Sequence, residues 1–169
     1  MFVNICRAVA IFGGFLLLVI TAIVVVSVSG RALVPLGLAP IPGDFELVEI
    51  STALAVFCFL PWCQLKGGHV TVDVLSAVLG RRIEAWLSMI YNICMTGIAV
   101  LIAWRLWDGM IDMQTYSETT FILQIPVWWA YAGCLPLALL FVLVSAWTVL
   151  RDLREALAAG QDASAEAGR

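Results

Sequence analysis

Along most of this chain apolar positions follow neither a period of two nor a one-sided helical stripe. They run together in four blocks, at 8–29, 46–64, 84–107 and 125–150, separated by short polar stretches. Each block holds between 19 and 26 residues, and a helix rising about 1.5 Å per residue needs about 20 to cross ~30 Å of hydrocarbon. The pattern therefore predicts four transmembrane helices. Helices apolar all round must bury against lipid or against another protein's helices. The first block is longer than the ~7–15 apolar residues of a secretory signal and has no clear small-x-small cleavage site, so it reads as a retained helix.

The intervening stretches predict the rest. Residues 30–43 contain Pro35, Pro40 and Pro42 and read as an irregular connection at the membrane surface. Lys66-Gly67-Gly68-His69 is a basic, glycine-broken turn. Beyond it, Val70, Val74, Leu75, Val78 and Leu79 share one helical arc, and Asp73, Ser76 and Gly80 the narrow polar side. That is the pattern of a short helix in the headgroup plane, with Asp73 near its start and Arg81-Arg82 after it. Valines at 70, 72 and 74 also leave a short extended start open. Residues 108–124 form an acidic loop carrying Asp108, Asp112 and Glu118, and 156–169 a small polar tail expected to be disordered. The expected fold is an all-α integral membrane protein: four transmembrane helices over 1–155, with a short amphipathic in-plane cytoplasmic helix between the second and third.

Within the helices, Gly13-Gly14 permits close approach of a neighbour. Asp44 is an N-cap candidate for the second helix, and Glu46 and Glu49 sit in its first turns, where acids suit the positive end of the helix dipole. Two readings stand for Glu49, an ion-coupling carboxylate or a boundary carboxylate wetted by headgroup water, and its place near the helix start favours the second. Pro61 removes the bond to Phe57 and predicts a kink. Trp86 opens the third helix and Trp104 and Trp107 close it. Trp128 and Trp129 with Tyr131 anchor the fourth at one interface and Trp147 at the other, which is the placement of aromatic belts. Asn92, the one strongly polar residue inside the third helix, reads as an interhelical hydrogen bond rather than a substrate contact. Arg105 can pair with Asp108 or Asp112, and Pro126 suits the first turn of the fourth helix.

Composition agrees with the pattern and narrows the chemistry. Hydrophobic residues are 63% and charged residues 12% of the chain, about half the charged share of a soluble domain, and the mean hydropathy is +1.02. The net charge of −3 includes no basic stripe able to track a phosphate backbone, which excludes nucleic acid as a partner. Seven of the nine basic residues (Arg7, Lys66, Arg81, Arg82, Arg151, Arg154, Arg169) flank one side of the predicted helices, and only Arg31 and Arg105 the other. That bias puts both termini in the cytoplasm. The five cysteines read as buried free thiols. With His69 the one histidine, and no Walker, G-x-S-x-G or H-E-x-x-H motif, nothing points to an enzyme, a metal site or a cofactor. Arg81-Arg82 could hold a lipid phosphate but more commonly set topology. His69 and Asp73 could form an acid–base pair, but turn-and-cap chemistry with a partner contact fits them better.

Three stretches resemble a known family, the small permease subunits of tripartite ATP-independent periplasmic (TRAP) transporters. They are Ile41-Pro42-Gly43-Asp44-Phe45-Glu46-Leu47-Val48-Glu49, the turn from Lys66-Gly67-Gly68-His69 to Val72-Asp73-Val74-Leu75, and Leu123-Gln124-Ile125-Pro126-Val127-Trp128-Trp129-Ala130-Tyr131. The resemblance covers roughly 8–155 and implies a multi-pass protein of the bacterial inner membrane. It implies a large permease subunit that carries the substrate and sodium sites, and an extracytoplasmic solute-binding protein that delivers a small organic acid. This chain would then be a scaffold: its tryptophans hold depth, and the Lys66–Asp73 turn with Arg81 and Arg82 contacts partner or membrane lipid. Asp108, Asp112 and Glu118 would help dock the binding protein. Two rivals remain, a self-assembling channel or carrier using Glu49 and Asn92, and a lipid-acting enzyme using His69, Asp73, Arg81 and Arg82.

Overall fold

A computed structural model describes residues 2–66 and 73–167, with side chains described for 2–35, 37–66 and 89–154. Four helices carry the chain: α1 (Phe2–Ala32), α2 (Asp44–Leu65), α3 (Asp73–Tyr116) and α4 (Trp128–Ala167). All four contain a stretch long and apolar enough to cross a membrane. At about 1.5 Å per residue, the 22 residues of α2 span about 33 Å, matching the hydrocarbon, whereas the 31, 44 and 40 residues of α1, α3 and α4 exceed it.

The excess length is where the structure departs from the apolar pattern. The segment expected as a separate in-plane helix is not a separate element: from Asp73 the backbone runs without a break into the third apolar block. Between Asp73 and Ser88 there is no proline and only Gly80, and one glycine weakens a helix by only about 1 kcal/mol. The far end of α3 is longer too. Residues 108–116, expected as loop, are helical, so Asp108 and Asp112 ride on α3 and only Glu118 lies beyond it. The stop is a Schellman motif. Ser117 turns to φ +53, its N–H reaches the Gln114 carbonyl at 3.3 Å, and the Glu118 N–H reaches that of Met113 at 3.3 Å. In the same way α4 continues to Ala167 through the stretch expected as a disordered tail, which is rich in alanine, the best helix former.

Two smaller expectations also shift. The N-cap of α2 is Gly43, in the left-handed conformation at φ +75, and not Asp44, which is the first helical residue. Pro126 precedes α4 rather than opening it. It bridges Thr119 across the connecting loop and accepts the Trp129 N–H at 3.1 Å. α2 stays helical through buried Pro61.

The helices pack as a row and not as a closed bundle. α1 lies on α2, α2 on α4, and α4 on α3. The seams are built from small residues that let backbones approach: Gly13, Ala55 and Cys58 between α1 and α2, with Ala99, Ala103, Cys134 and Ala138 among the buried positions of α3 and α4. Gly13 sits where a Cβ would come within 2.7 Å of Cys58 Cβ, whereas Gly14 faces open space. None of the five cysteines forms a disulfide; Cys6, Cys58 and Cys134 are buried, Cys63 is partly buried, and Cys94 is exposed. A single row leaves two broad apolar faces, and Phe12, Phe15, Leu18, Val25, Leu101 and Leu143 stand exposed on them.

Candidate functional site

Polar side chains gather at the two ends of the row. At the end formed by the C-terminus of α1 and the N-terminus of α2, buried Ser27 donates its hydroxyl to Asp44 Oδ2. Arg31 Nη2 pairs with the same oxygen at 3.1 Å, and its guanidinium lies 5.5 Å from the Phe45 ring centre. Asp44 Oδ1 takes the Phe45 N–H at 3.0 Å. One carboxylate thus ties α1 to the start of α2.

Glu46, one residue beyond Phe45, does the same for the α3–α4 loop. Its two carboxylate oxygens accept consecutive backbone N–H groups, from Ile122 at 2.7 Å and Leu123 at 3.0 Å. Leu123 folds over Gly43, where a Cβ would stand 2.5 Å from its Cγ. The positive φ and the contact together call for glycine there. The loop closes on itself through Thr120 N–H to the Ile125 carbonyl at 2.9 Å and Val127 N–H to the Glu118 carbonyl at 3.0 Å. Phe121 stands at its tip, 96% exposed.

Beneath this clasp a half-open cavity of about 320 Å³ separates α2 from α4, lined by Glu46, Glu49, Phe57, Tyr131 and Cys134 among others. Its lining holds two carboxylates and no lysine or arginine. A carboxylate-bearing solute would meet like charge and no cation there, so the cavity is unsuited to an organic acid.

The opposite end holds the larger constellation, and only Asn92 of it was foreseen. Asn92 Nδ2 donates to Asp152 Oδ2. Gln64 Nε2 donates to Asn92 Oδ1 at 2.8 Å and to Thr148 Oγ1 at 3.2 Å, and the Thr148 hydroxyl donates in turn to the Ser145 carbonyl at 2.7 Å. All four side chains are buried. Arg151 bonds to Asp152 Oδ1 through Nε at 3.3 Å and Nη2 at 3.2 Å. An ionised carboxylate only accepts, so Asp152 orients the Asn92 amide, which orients that of Gln64. The network joins α2, α3 and α4 in one chain of hydrogen bonds, which is an interhelical role for Asn92.

The other expected residues are dispersed. Lys66 follows the last turn of α2 with its ammonium 5.2 Å from the Trp62 ring centre. Gly67, Gly68 and His69 lie outside the described residues, as do the side chains of Asp73, Arg81, Arg82 and Trp86 on α3. Trp104 and Trp107 project outward from α3; Trp128 and Trp129 meet edge to face at 6.0 Å; Trp147 stacks on Phe2 at 6.4 Å. Asp108 pairs with Arg105 at 3.7 Å, and Asp108, Asp112 and Glu118 are all exposed. Among the described residues, no three His, Cys, Asp or Glu side chains stand close enough to hold a metal ion. Among the described residues, nothing at either end is arranged as a nucleophile with a base. Both ends are arranged as clasps.

No curated protein and no solved structure matches the chain. One family model does, that of the tripartite ATP-independent periplasmic transporters, DctQ component, over residues 20–155. That span starts within α1, takes in both polar ends and reaches past Asp152 in α4. The chain therefore belongs to the DctQ family and is the small membrane subunit, or small permease, of a TRAP-type secondary transporter.

Proposed function

We propose that this subunit is the static plate of its transporter, a row of helices that fixes a large permease in the bilayer while the solute moves elsewhere. The observation that carries the reading is the packing order α1–α2–α4–α3, which leaves two apolar faces, clasped at both ends by polar networks. A second membrane protein can be seated on such a face and lipid on the other. The acidic cavity near Glu46 and Glu49 supports placing the solute site outside this chain, in the large permease. There a sodium gradient would drive symport of a small organic acid handed over by an extracytoplasmic binding protein. Members of this family are transport subunits, which speaks against the enzyme reading.

In this reading the chain lies in the bacterial inner membrane with both termini in the cytoplasm. The stacking of Phe2 on Trp147 fits that arrangement, since it joins the start of α1 to the middle of α4, near the end of the apolar stretch that follows Trp128. Residues 1–155 form the membrane domain and 156–169 a polar extension into the cytoplasm. The segment around Asp73, Arg81 and Arg82 rests at the cytoplasmic headgroups, and the tryptophans at both interfaces hold the depth. Tagging the C-terminus and extracting native membranes gently should co-purify a stoichiometric partner of many membrane helices. A homogeneous self-oligomer instead would overturn the plate and revive a channel lined by Glu49 and Asn92.

At the outer end, the exposed carboxylates of Asp108, Asp112 and Glu118 would meet the binding protein as it docks. Reversing all three charges should slow binding-protein-dependent uptake and weaken its salt dependence, because rim charges act mainly on the association rate. Unchanged uptake at low ionic strength would remove them from the docking surface.

A further inference from the structure

We propose that the inner end of the row carries a binding site for one glycerophospholipid, held through its phosphodiester by Lys66 and Arg151. A cavity of about 360 Å³ opens there between the start of α1, the end of α2 and the middle of α4, lined by Phe2, Val3, Leu65, Lys66, Trp147, Thr148 and Arg151. Its lining combines two cations, Lys66 and Arg151, with an apolar set made of the stacked Phe2 and Trp147 rings, Val3 and Leu65.

Both cations are held in place. Asp152 fixes the Arg151 guanidinium through two nitrogens, and the Lys66 ammonium stands over the Trp62 ring. Among the described residues, Lys66 and Arg151 set against Asp152 leave one net positive charge, which complements the single negative charge of a phosphodiester. The apolar wall is continuous with the exposed outer surface of α1, where Phe2, Val3 and Ile5 stand open, and an acyl chain can lie along it. A free phosphate would use the cations and leave the aromatic wall uncovered, so a lipid headgroup with its chain is the occupant that matches both halves. Basic pockets between transmembrane helices on the cytoplasmic side have this use. The site rests on the chain being membrane-embedded and does not depend on which solute is carried.

The test is native mass spectrometry of the intact complex extracted from membranes, followed by delipidation and add-back of phosphatidylglycerol and phosphatidylethanolamine in mixed micelles. The wild type should retain one phospholipid that Lys66→Gln holds roughly fivefold more weakly, the loss expected for one basic residue at the membrane surface. Val3→Trp, which fills the cavity from the apolar side and leaves both cations, should also displace the lipid. Equal retention by the wild type and both variants would overturn the site. So would competition by millimolar inorganic phosphate, which would mark a simple anion site. Co-purification of the large subunit is read in the same spectra, so loss of the partner and loss of the lipid are distinguished.

Discussion

Gly13→Leu is expected to detach α1 from α2, while Gly14→Leu, one residue along, leaves the pair intact. A Cβ on Gly13 would stand 2.7 Å from Cys58 Cβ and 3.4 Å from the Ala55 carbonyl oxygen. The obstacle is thus a Cβ and a backbone oxygen, neither of which can turn aside, and the helices must separate. Overpacking of a tight seam costs about 1–3 kcal/mol, and α1 has little else to resist it. Among the described residues it packs along its length on α2 and the short turn after it, with the Asp44 clasp at one end and the Phe2–Trp147 stack at the other. Gly14 has nothing within 4 Å of its Cβ position, so leucine there only adds apolar surface facing outward. The readout is disulfide trapping between cysteines placed across the α1–α2 seam, in membranes, with the native cysteines replaced. Equal trapping in the two variants would mean that the seam does not run through Gly13.

The four crossings were legible because apolar composition reports where hydrocarbon lies. Composition does not report where a helix ends. Hydrogen bonding continues past the interface wherever nothing breaks it, so α3 extends through polar residues 108–116 and α4 through the alanine-rich 156–167. The stop after Tyr116 depends on Ser117 adopting positive φ, which no glycine or proline there announces.

The sites were half legible for a related reason. Asn92 was identifiable alone, since a lone amide in an apolar helix must find a partner. Its partners Gln64 and Asp152, 28 and 60 residues away, depend on α3 packing on α4 with the end of α2 meeting both, an arrangement that periodicity does not encode. Asp152 is also hidden in sequence by Arg151 and Arg154, which make it look like part of a solvated end. Glu46 was read through the helix dipole, but its real partners are two amides 76 and 77 residues away. Backbone amides carry no residue-type signature, so no motif could have named them.

The two clasps explain how an open row of helices holds its register. Small residues let the helices approach along their lengths but supply little that resists sliding, since lipid is as apolar as their side chains. Directional bonds at both ends stop that sliding, and the network around Asn92 alone spans three helices. Asn92→Leu should therefore be among the most damaging single changes in the chain. It strips one hydrogen bond from the Asp152 carboxylate and one from Gln64, both of them buried. Interhelical hydrogen bonds in membranes average about 0.6 kcal/mol and reach about 1.7, and a buried group left unmatched costs about 1–3 kcal/mol. A loss of about 2 kcal/mol in the stability of the purified complex is expected. Pairing it with Asp152→Leu separates a contact from a general packing defect. Once the carboxylate is gone, Asn92→Leu has less left to break, so the double variant should fall short of the summed losses by about 1 kcal/mol. Losses that simply add, to within about 0.5 kcal/mol, would show that the two side chains do not meet, and the inner clasp would have to be sought elsewhere on α3.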